Sequence, residues 1–373
     1  MGKIDELLQQ YCPEGVEYVP IGDYLTYEQP TRYLVESTKY DDSYTTPVLT
    51  AGQSFILGYT KETTGIFEAS KDNPVIIFDD FTTSFHWVEF PFKVKSSAMK
   101  MLRPTDENTA LFRYLYHCMK NIQYVPGEHT RQWIGTYSLF EIPLPPLPVQ
   151  EEIVRILDNF TNLAAELQAE LQARQQQYQY YRDTLLSFDG RDDVQWNKLG
   201  EVADLGTGSH NTQDGLVEGK YPFYTRGSEI LYLNDYDYDE TAIITAGDGA
   251  GVGKVFHFVQ GKYALHQRAY RIVPNEKIVL ARFVYYYIGA TFYNYIMKSS
   301  VSSSVVSIRK PMMVDYPIPV PSIEEQERVI SILDNFYSLT NDLTQGLPAE
   351  IEARQQQYEY YRDQLLTFKR KEA

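Results

Sequence analysis

The chain repeats itself, and the period of the repeat limits what it can fold into. Ile156-Leu157-Asp158-Asn159-Phe160 returns as Ile332-Leu333-Asp334-Asn335-Phe336, 176 positions later. Ala173 to Tyr178 and Tyr180 to Asp183 return as Ala353 to Tyr358 and Tyr360 to Asp363, 180 positions later. A proline-spaced strip introduces each copy: Ile142-Pro143-Leu144-Pro145 and Ile318-Pro319-Val320-Pro321. More weakly, Val16 to Asp23 lines up with Val194 to Glu201. A period of about 177 residues is far too long for a solenoid and suits a duplicated unit of one domain plus one connector.

The repeated strips are helical. Ile153, Leu157, Phe160, Ala164, Leu167, Leu171, Arg174, Tyr178, Tyr181, Leu185 and Phe188 step by four and three, a heptad seam in which only Arg174 is out of character. A helix from Ile153 to Phe188 would measure about 54 Å at ~1.5 Å per residue, and the prolines before it set its start. The second copy keeps both ends of the seam but gains four residues and Gly346-Leu347-Pro348. Four residues nearly complete a turn, so the ends stay in phase, while Gly346 closes one helix and Pro348 opens the next.

The remaining stretches have a different texture. Short apolar runs such as Pro74 to Phe78 and Thr241 to Thr245 alternate with turn residues, as do Phe90 to Lys95 and Ala269 to Val273. Each stretch also holds one apolar helix candidate, Leu111 to Ile122 and Leu280 to Met297. The expected fold class is α+β: two mostly-β domains joined by two long antiparallel coiled-coil helices with pseudo-two-fold symmetry.

Composition narrows the function. The chain has 373 residues, with 34 Lys plus Arg against 50 Asp plus Glu, a formal charge of -16. Bare phosphate binding wants a basic surface, so the total argues against DNA until it is divided. Residues 1–140 carry -6 and 190–317 only -1, while the strips 141–189 and 318–373 carry -5 and -4. No apolar run of 18 residues is present, and Met1 to Glu6 lacks a secretory signal's apolar core and a myristoylation motif's hydroxyl at position six. Cys12 and Cys118 build neither a disulfide framework nor a zinc site, so a cytoplasmic protein with no membrane contact is expected.

The strips resemble a known family. Pro145-Pro146-Leu147, Gln150 to Val154, Ile156 to Phe160 and Arg174 to Asp183 are similar to the conserved helical region of the specificity subunit of type I restriction-modification systems. Gln326 to Val329 and Gln357 to Asp363 resemble the second such region. The resemblance implies target-recognition domains at 1–145 and 190–318 and helical spacers at 146–189 and 319–373. It implies a non-catalytic chain that reads an asymmetric, bipartite site on double-stranded DNA, one half per domain. It also implies two modification (methyltransferase) subunits as partners, carrying S-adenosylmethionine, and restriction subunits using ATP and Mg, with no cofactor in this chain.

Residue types then suggest contacts, since hydroxyls, amides and cations hold phosphates and read base edges. Candidate DNA-binding residues are Thr82, Thr83, Ser84 and His86; Lys95, Ser96 and Lys100; Arg131 and Gln132; Arg226 and Lys254; His266, Gln267 and Arg268; and Ser303, Ser304, Arg309 and Lys310. Thr130-Arg131-Gln132 precedes the first strip as Ser302 to Lys310 precedes the second. The packing set is Leu157, Phe160, Leu167, Leu171, Tyr178, Tyr181, Leu333, Phe336, Tyr358 and Tyr361. Gly247 to Lys254 fits neither the phosphate-loop nor the dinucleotide pattern and reads as a tight hairpin or bulge, with a loop touching DNA as the alternative. No His, Cys and carboxylate set has metal-ligand spacing, and no amino-methyltransferase or helicase motif is found. A free-standing nuclease or methyltransferase and a protein-only coiled-coil adaptor are the competing classes.

Overall fold

The computed structural model describes residues 2–52, 54–298, 307–342 and 344–372. They form two compact units, one of residues 1–166 with 351–373 and one of 167–350. The unit boundaries fall inside helices, because each unit takes one half of each strip.

In the first unit, strands Leu25–Glu28, Met99–Pro104, Val75–Asp79 and Phe85–Val88 form a four-stranded antiparallel sheet in that order. A three-stranded sheet of Ile56–Thr60, Thr46–Leu49 and Lys93–Val94 stands beside it, its last pair parallel. The second unit repeats this topology as one six-stranded sheet: Ala203–Thr207, Ala269–Pro274, Tyr238–Ala246, Phe256–Leu265, Tyr221–Tyr224 and Ile230–Leu233. Prolines account for the difference. Pro74 and Pro91 lack the N–H that a ladder needs, so they end the central strands of the first unit early. The corresponding strands of the second unit run on to Tyr238 and Leu265 and join the two sheets into one. The alternation at Phe90 to Lys95 accordingly yields only the short strand Lys93–Val94.

The helical strips follow the expected order with altered ends. The first helix is Leu147–Leu185, 39 residues, starting six residues earlier than the expected Ile153. Pro148 lies in its first turn, where no intrahelical N–H is required. Phe188 lies beyond the helix and is buried in the core of the second unit. The second strip is broken where Gly346 and Pro348 stand, into Ile323–Asn341 and Leu347–Leu365. No helix among the described residues is long and apolar enough to cross a membrane.

The seam is divided between two jobs. Ile153 and Leu157 are fully buried in the first domain's core, as Val329 and Leu333 are in the second. Helix-on-helix packing begins at the next apolar step. Phe160 stacks on Tyr361 at 5.1 Å, and Phe336 stacks on Tyr181 at 5.4 Å. The front half of each strip thus meets the back half of the other, as in an antiparallel exchange. Tyr178 flanks Phe336, and Leu171 is buried while Leu167 is partly covered.

Matched polar anchors fix each domain to its strip. Gln150 Oε1 accepts from Leu111 N at 2.9 Å, and its Nε2 donates to Pro145 O at 2.7 Å. Gln326 does the same with Leu280 N and Pro321 O, at 2.8 and 2.9 Å. Arg113 Nε meets Asp158 at 2.8 Å, and Arg282 Nε meets Asp334 at 2.8 Å. His117 Nε2 also meets Asp158 at 2.8 Å, and its Nδ1 faces the Tyr358 hydroxyl at 3.2 Å. Tyr286 donates to Asp334 in the place of His117.

Candidate nucleic-acid interface

In each domain one buried turn organises the loops at an end of the main sheet. In the first unit the turn follows strand Val75–Asp79. The Asp79 carboxylate accepts from Phe81 N and Thr82 N, both at 2.8 Å, and Thr83 takes a left-handed φ of 60°. Asp80 is the hub. Its backbone N donates to Ala98 O at 3.0 Å and its carbonyl accepts from Gln132 N at 2.7 Å. Its carboxylate accepts from Trp133 N at 2.9 Å and pairs with Lys100 at 3.3 Å. Three loops distant in sequence, 79–84, 95–98 and 128–132, are thereby held as one surface. The second unit uses the same joint: Gly247 N donates to Arg268 O, and Gly247 O accepts from Ile308 N, both at 2.8 Å. The matched positions of Gln132 and Ile308 account for the similar placing of the segments before the two strips.

Several candidate side chains turn inward. Lys100 is 1% exposed, salt-bridged to Asp80 and with its ammonium 4.2 Å from the Tyr27 ring centroid. It lies on a central strand covered on both faces, so its charge completes the hub and is withdrawn from DNA. Gln132 is 4% exposed, its amide taken by Thr130 O at 2.9 Å and by the Tyr124 hydroxyl at 2.8 Å. Thr83 is buried and bonds back to Thr82 O. His266 is 4% exposed; its Nδ1 accepts from Arg268 N at 3.0 Å. Burial, with the nearby Arg226 charge, lowers its pKa, so it is a neutral loop brace. His86 stacks on Phe55 and faces Gly52 O at 3.0 Å, its pKa lowered chiefly by burial. Ser84 is half-buried, its hydroxyl accepting from Thr82. Ser303 and Ser304 lie outside the described residues.

The rest stays at the surface. In the first unit Thr82, Lys95, Ser96 and Arg131 are exposed on the three joined loops, with His129 stacked on Phe81 beside them. In the second unit Asp248, on the loop between strands Tyr238–Ala246 and Phe256–Leu265, grips two cations. It pairs with Arg226 Nη1 at 2.8 Å and Arg268 Nη1 at 2.9 Å. Burial pushes the Asp248 carboxyl up, but hydrogen bonds and charge from both guanidiniums outweigh it and hold the pKa below the ordinary value. Arg226 and Arg268 line a cleft of about 420 Å³ with Asn211, Thr212, Gln213 and Gln267. Gln267 donates to Asn211 across it. Arg309 and Lys310 are exposed just past the Gly247–Ile308 joint. Lys254 lies at the far end of the hairpin loop, over the Tyr293 ring at 5.4 Å, and belongs to another cluster.

Fixed guanidiniums beside amides and hydroxyls suit the major groove, where Arg pairs with guanine O6 and N7 and Asn or Gln with adenine. Residue types alone did not find Asp80, Asp248 or the 211–213 loop. Asp80 and Asp248 are acceptors that arrange donors, and loop 211–213 has no repeated partner in the first half.

The sequence and the fold both recur in known proteins. A family model for the "Type I restriction modification DNA specificity domain" matches residues 13–174 and 191–353. The chain is 44% identical to the EcoR124I/EcoR124II type I restriction enzyme specificity subunit of Escherichia coli, covering 96% of this chain and 95% of that one. It is 32% identical to a putative type I specificity subunit of Haemophilus influenzae, over 69% and 72% of the two chains. Among solved structures, the S subunit of a type I restriction-modification system from M. genitalium superposes with a TM-score of 0.65 at 14% identity, covering 94% of this chain and 96% of that one. A chain from a type I system solved for its complex assembly and conformational transition gives 0.53 at 17% identity, over 95% and 98%.

Proposed function

We propose a division of labour from one premise: this chain belongs to the family of specificity subunits of type I restriction-modification systems. It is a DNA-specificity protein with two DNA specificity domains. The supporting observation is that the family match falls once in each half, and that each half holds the same hub joining its loops.

The first unit reads one half of a split duplex site through Thr82, Lys95, Ser96 and Arg131. The second reads the other half through Arg226, Gln267, Arg268, Arg309 and Lys310. The two loop sets differ in sequence, so the halves differ and the whole site is asymmetric. The helical strips dock two modification subunits, which bind S-adenosylmethionine and transfer its methyl group to adenine, and restriction subunits using ATP and Mg complete the assembly. This chain contributes binding and orientation and no covalent step, in the cytoplasm. With a charge of -16 it binds duplex poorly alone, and the modification subunits supply much of the phosphate contact.

Methylation mapping by single-molecule sequencing, in a host carrying this chain with its modification subunit, tests the reading. A split, asymmetric adenine-methylated motif is expected. A continuous or palindromic motif, or no methylation with both proteins present, would overturn it. Gel shifts of the chain with and without that subunit test the shared phosphate contact.

A further inference from the structure

Each unit carries a ring-lined cationic pocket that DNA reading does not use. In the first unit it has a volume of about 400 Å³ and is lined by Tyr116, Lys120, Phe160, Tyr358, Glu359 and Arg362 among others. Lys120 Nζ stands 4.9 Å from the Phe85 ring centroid and 5.4 Å from that of Tyr116. No carboxylate pairs with this ammonium among the described residues. Lys120 is exposed at the pocket wall, and partial desolvation, with the charges of Arg362 and Arg113 added, lowers its pKa.

The second unit builds the same pocket, of about 200 Å³, from Tyr178, Arg182, Lys254, Phe256, Tyr285 and Gly289. Tyr178 and Arg182 are the repeat partners of Tyr358 and Arg362, 180 positions apart. Tyr285 and Gly289 stand 169 positions after Tyr116 and Lys120, the spacing that also relates the anchors Arg113 and Arg282. Phe256 opens its strand opposite Thr245 as Phe85 does opposite Phe78. The helix lysine is therefore missing, replaced by Gly289, whose absent Cβ leaves open space. Lys254 restores the ammonium from the hairpin loop, and it too has no carboxylate partner among the described residues.

The same chemistry thus reaches the same place by two routes, although the reading loops around it have diverged. Packing does not require this, because Lys120 and Lys254 are both exposed and weak cation–π contacts are all that hold their ammoniums over the rings. Arg182 and Arg362 each bind the next residue's aspartate through Nε and Nη2. The strips around the pockets carry -5 and -4, so an unpaired lysine is a favoured point for an acidic group to approach them. A concave, ring-walled site fits a side chain with an apolar stem and a charged tip, whereas duplex phosphates lie on a convex surface.

We propose that the two pockets are docking sites for a carboxylate-tipped side chain of a protein that binds this chain in two copies, one per unit. The proposal rests on the reading that two modification subunits dock here, and it names where each is held.

The test is assembly of the full chain with its modification subunit, measured by light scattering and by titration. Lys254→Ala and Lys120→Met should each weaken one of the two docking events about tenfold or more, leaving a one-to-one complex near the dissociation constant. The double variant should lose both. Lys254→Ala with Gly289→Lys, which places the lysine as the first unit does, should restore the second copy. Lys120→Met should leave the melting temperature of the free chain nearly unchanged, so that a lost docking event is not put down to unfolding. Two subunits binding the double variant with unchanged affinity would overturn the proposal. So would normal assembly with weakened DNA binding, because the pockets would then hold phosphate. If the wild-type chain takes up no modification subunit, the underlying reading falls and the pockets lose their occupant with it.

Discussion

The two units share a scaffold and treat their cations in opposite ways. The first spends Lys100 inside, salt-bridged to the buried hub Asp80, and leaves scattered single charges on its loops. The second has no charge at its hub, where Gly247 supplies only backbone, and moves its carboxylate one residue outward. Asp248 there fixes two arginines at the surface. The same joint is therefore a buried structural device in one half and part of an exposed, charged loop surface in the other. Net charge follows: -6 for residues 1–140 against -1 for 190–317.

The sharpest way to break this contrast is Lys100→Ala. It leaves Asp80 buried without its counter-charge and should destabilise the first unit by about 3–5 kcal/mol, read by urea unfolding. Tyr270→Phe, at the matched strand position, should cost about 1 kcal/mol or less, because that hydroxyl makes only a 3.5 Å contact with Ile308 O. Equal losses would show that the two hubs do the same work. Asp248→Asn should loosen Arg226 and Arg268 and relax discrimination by about 1–3 kcal/mol per affected base pair, in the second unit's half-site alone. Methylation mapping checks this, and relaxation in both halves would refute the division.

Acid offers a milder test. His86, His117, His257 and His266 all have pKa values lowered from the ordinary 6.5, with burial the largest cause. The unfolded chain therefore binds more protons than the folded one once pH falls below about 6.5. Stability should be full above that value and fall by up to about 1.4 kcal/mol per pH unit for each histidine, seen as a drop in melting temperature from pH 7.5 to 5.5. A small effect is also expected for Phe160→Leu or Phe336→Leu, each losing about 0.5–1.5 kcal/mol of ring stacking on Tyr361 or Tyr181. A marked inequality between them would show that the exchange of helix halves is uneven.

Much of the fold was legible because its signals are local or repeated. The heptad steps, the proline strips and the Gly346–Pro348 break all lie where the helices begin, run and stop. The site was less legible. Lys95, Lys100 and Arg103 look alike in a run of nine residues, yet strand Met99–Pro104 is flanked on both sides and withdraws Lys100. Gln132 and His266 have the side chains of DNA readers and serve as loop braces. The pockets were hidden because Lys254 and Gly289 meet only after folding.

The sequence by itself determined the duplication, the helical strips and the family, since periodicity and repeated motifs survive in one dimension. Tertiary structure alone decided which charges stay at the surface and which are absorbed. That choice depends on burial and on partners distant in the chain, as Asp80 with Lys100 and Gln132, or Asp248 with Arg226 and Arg268, make plain.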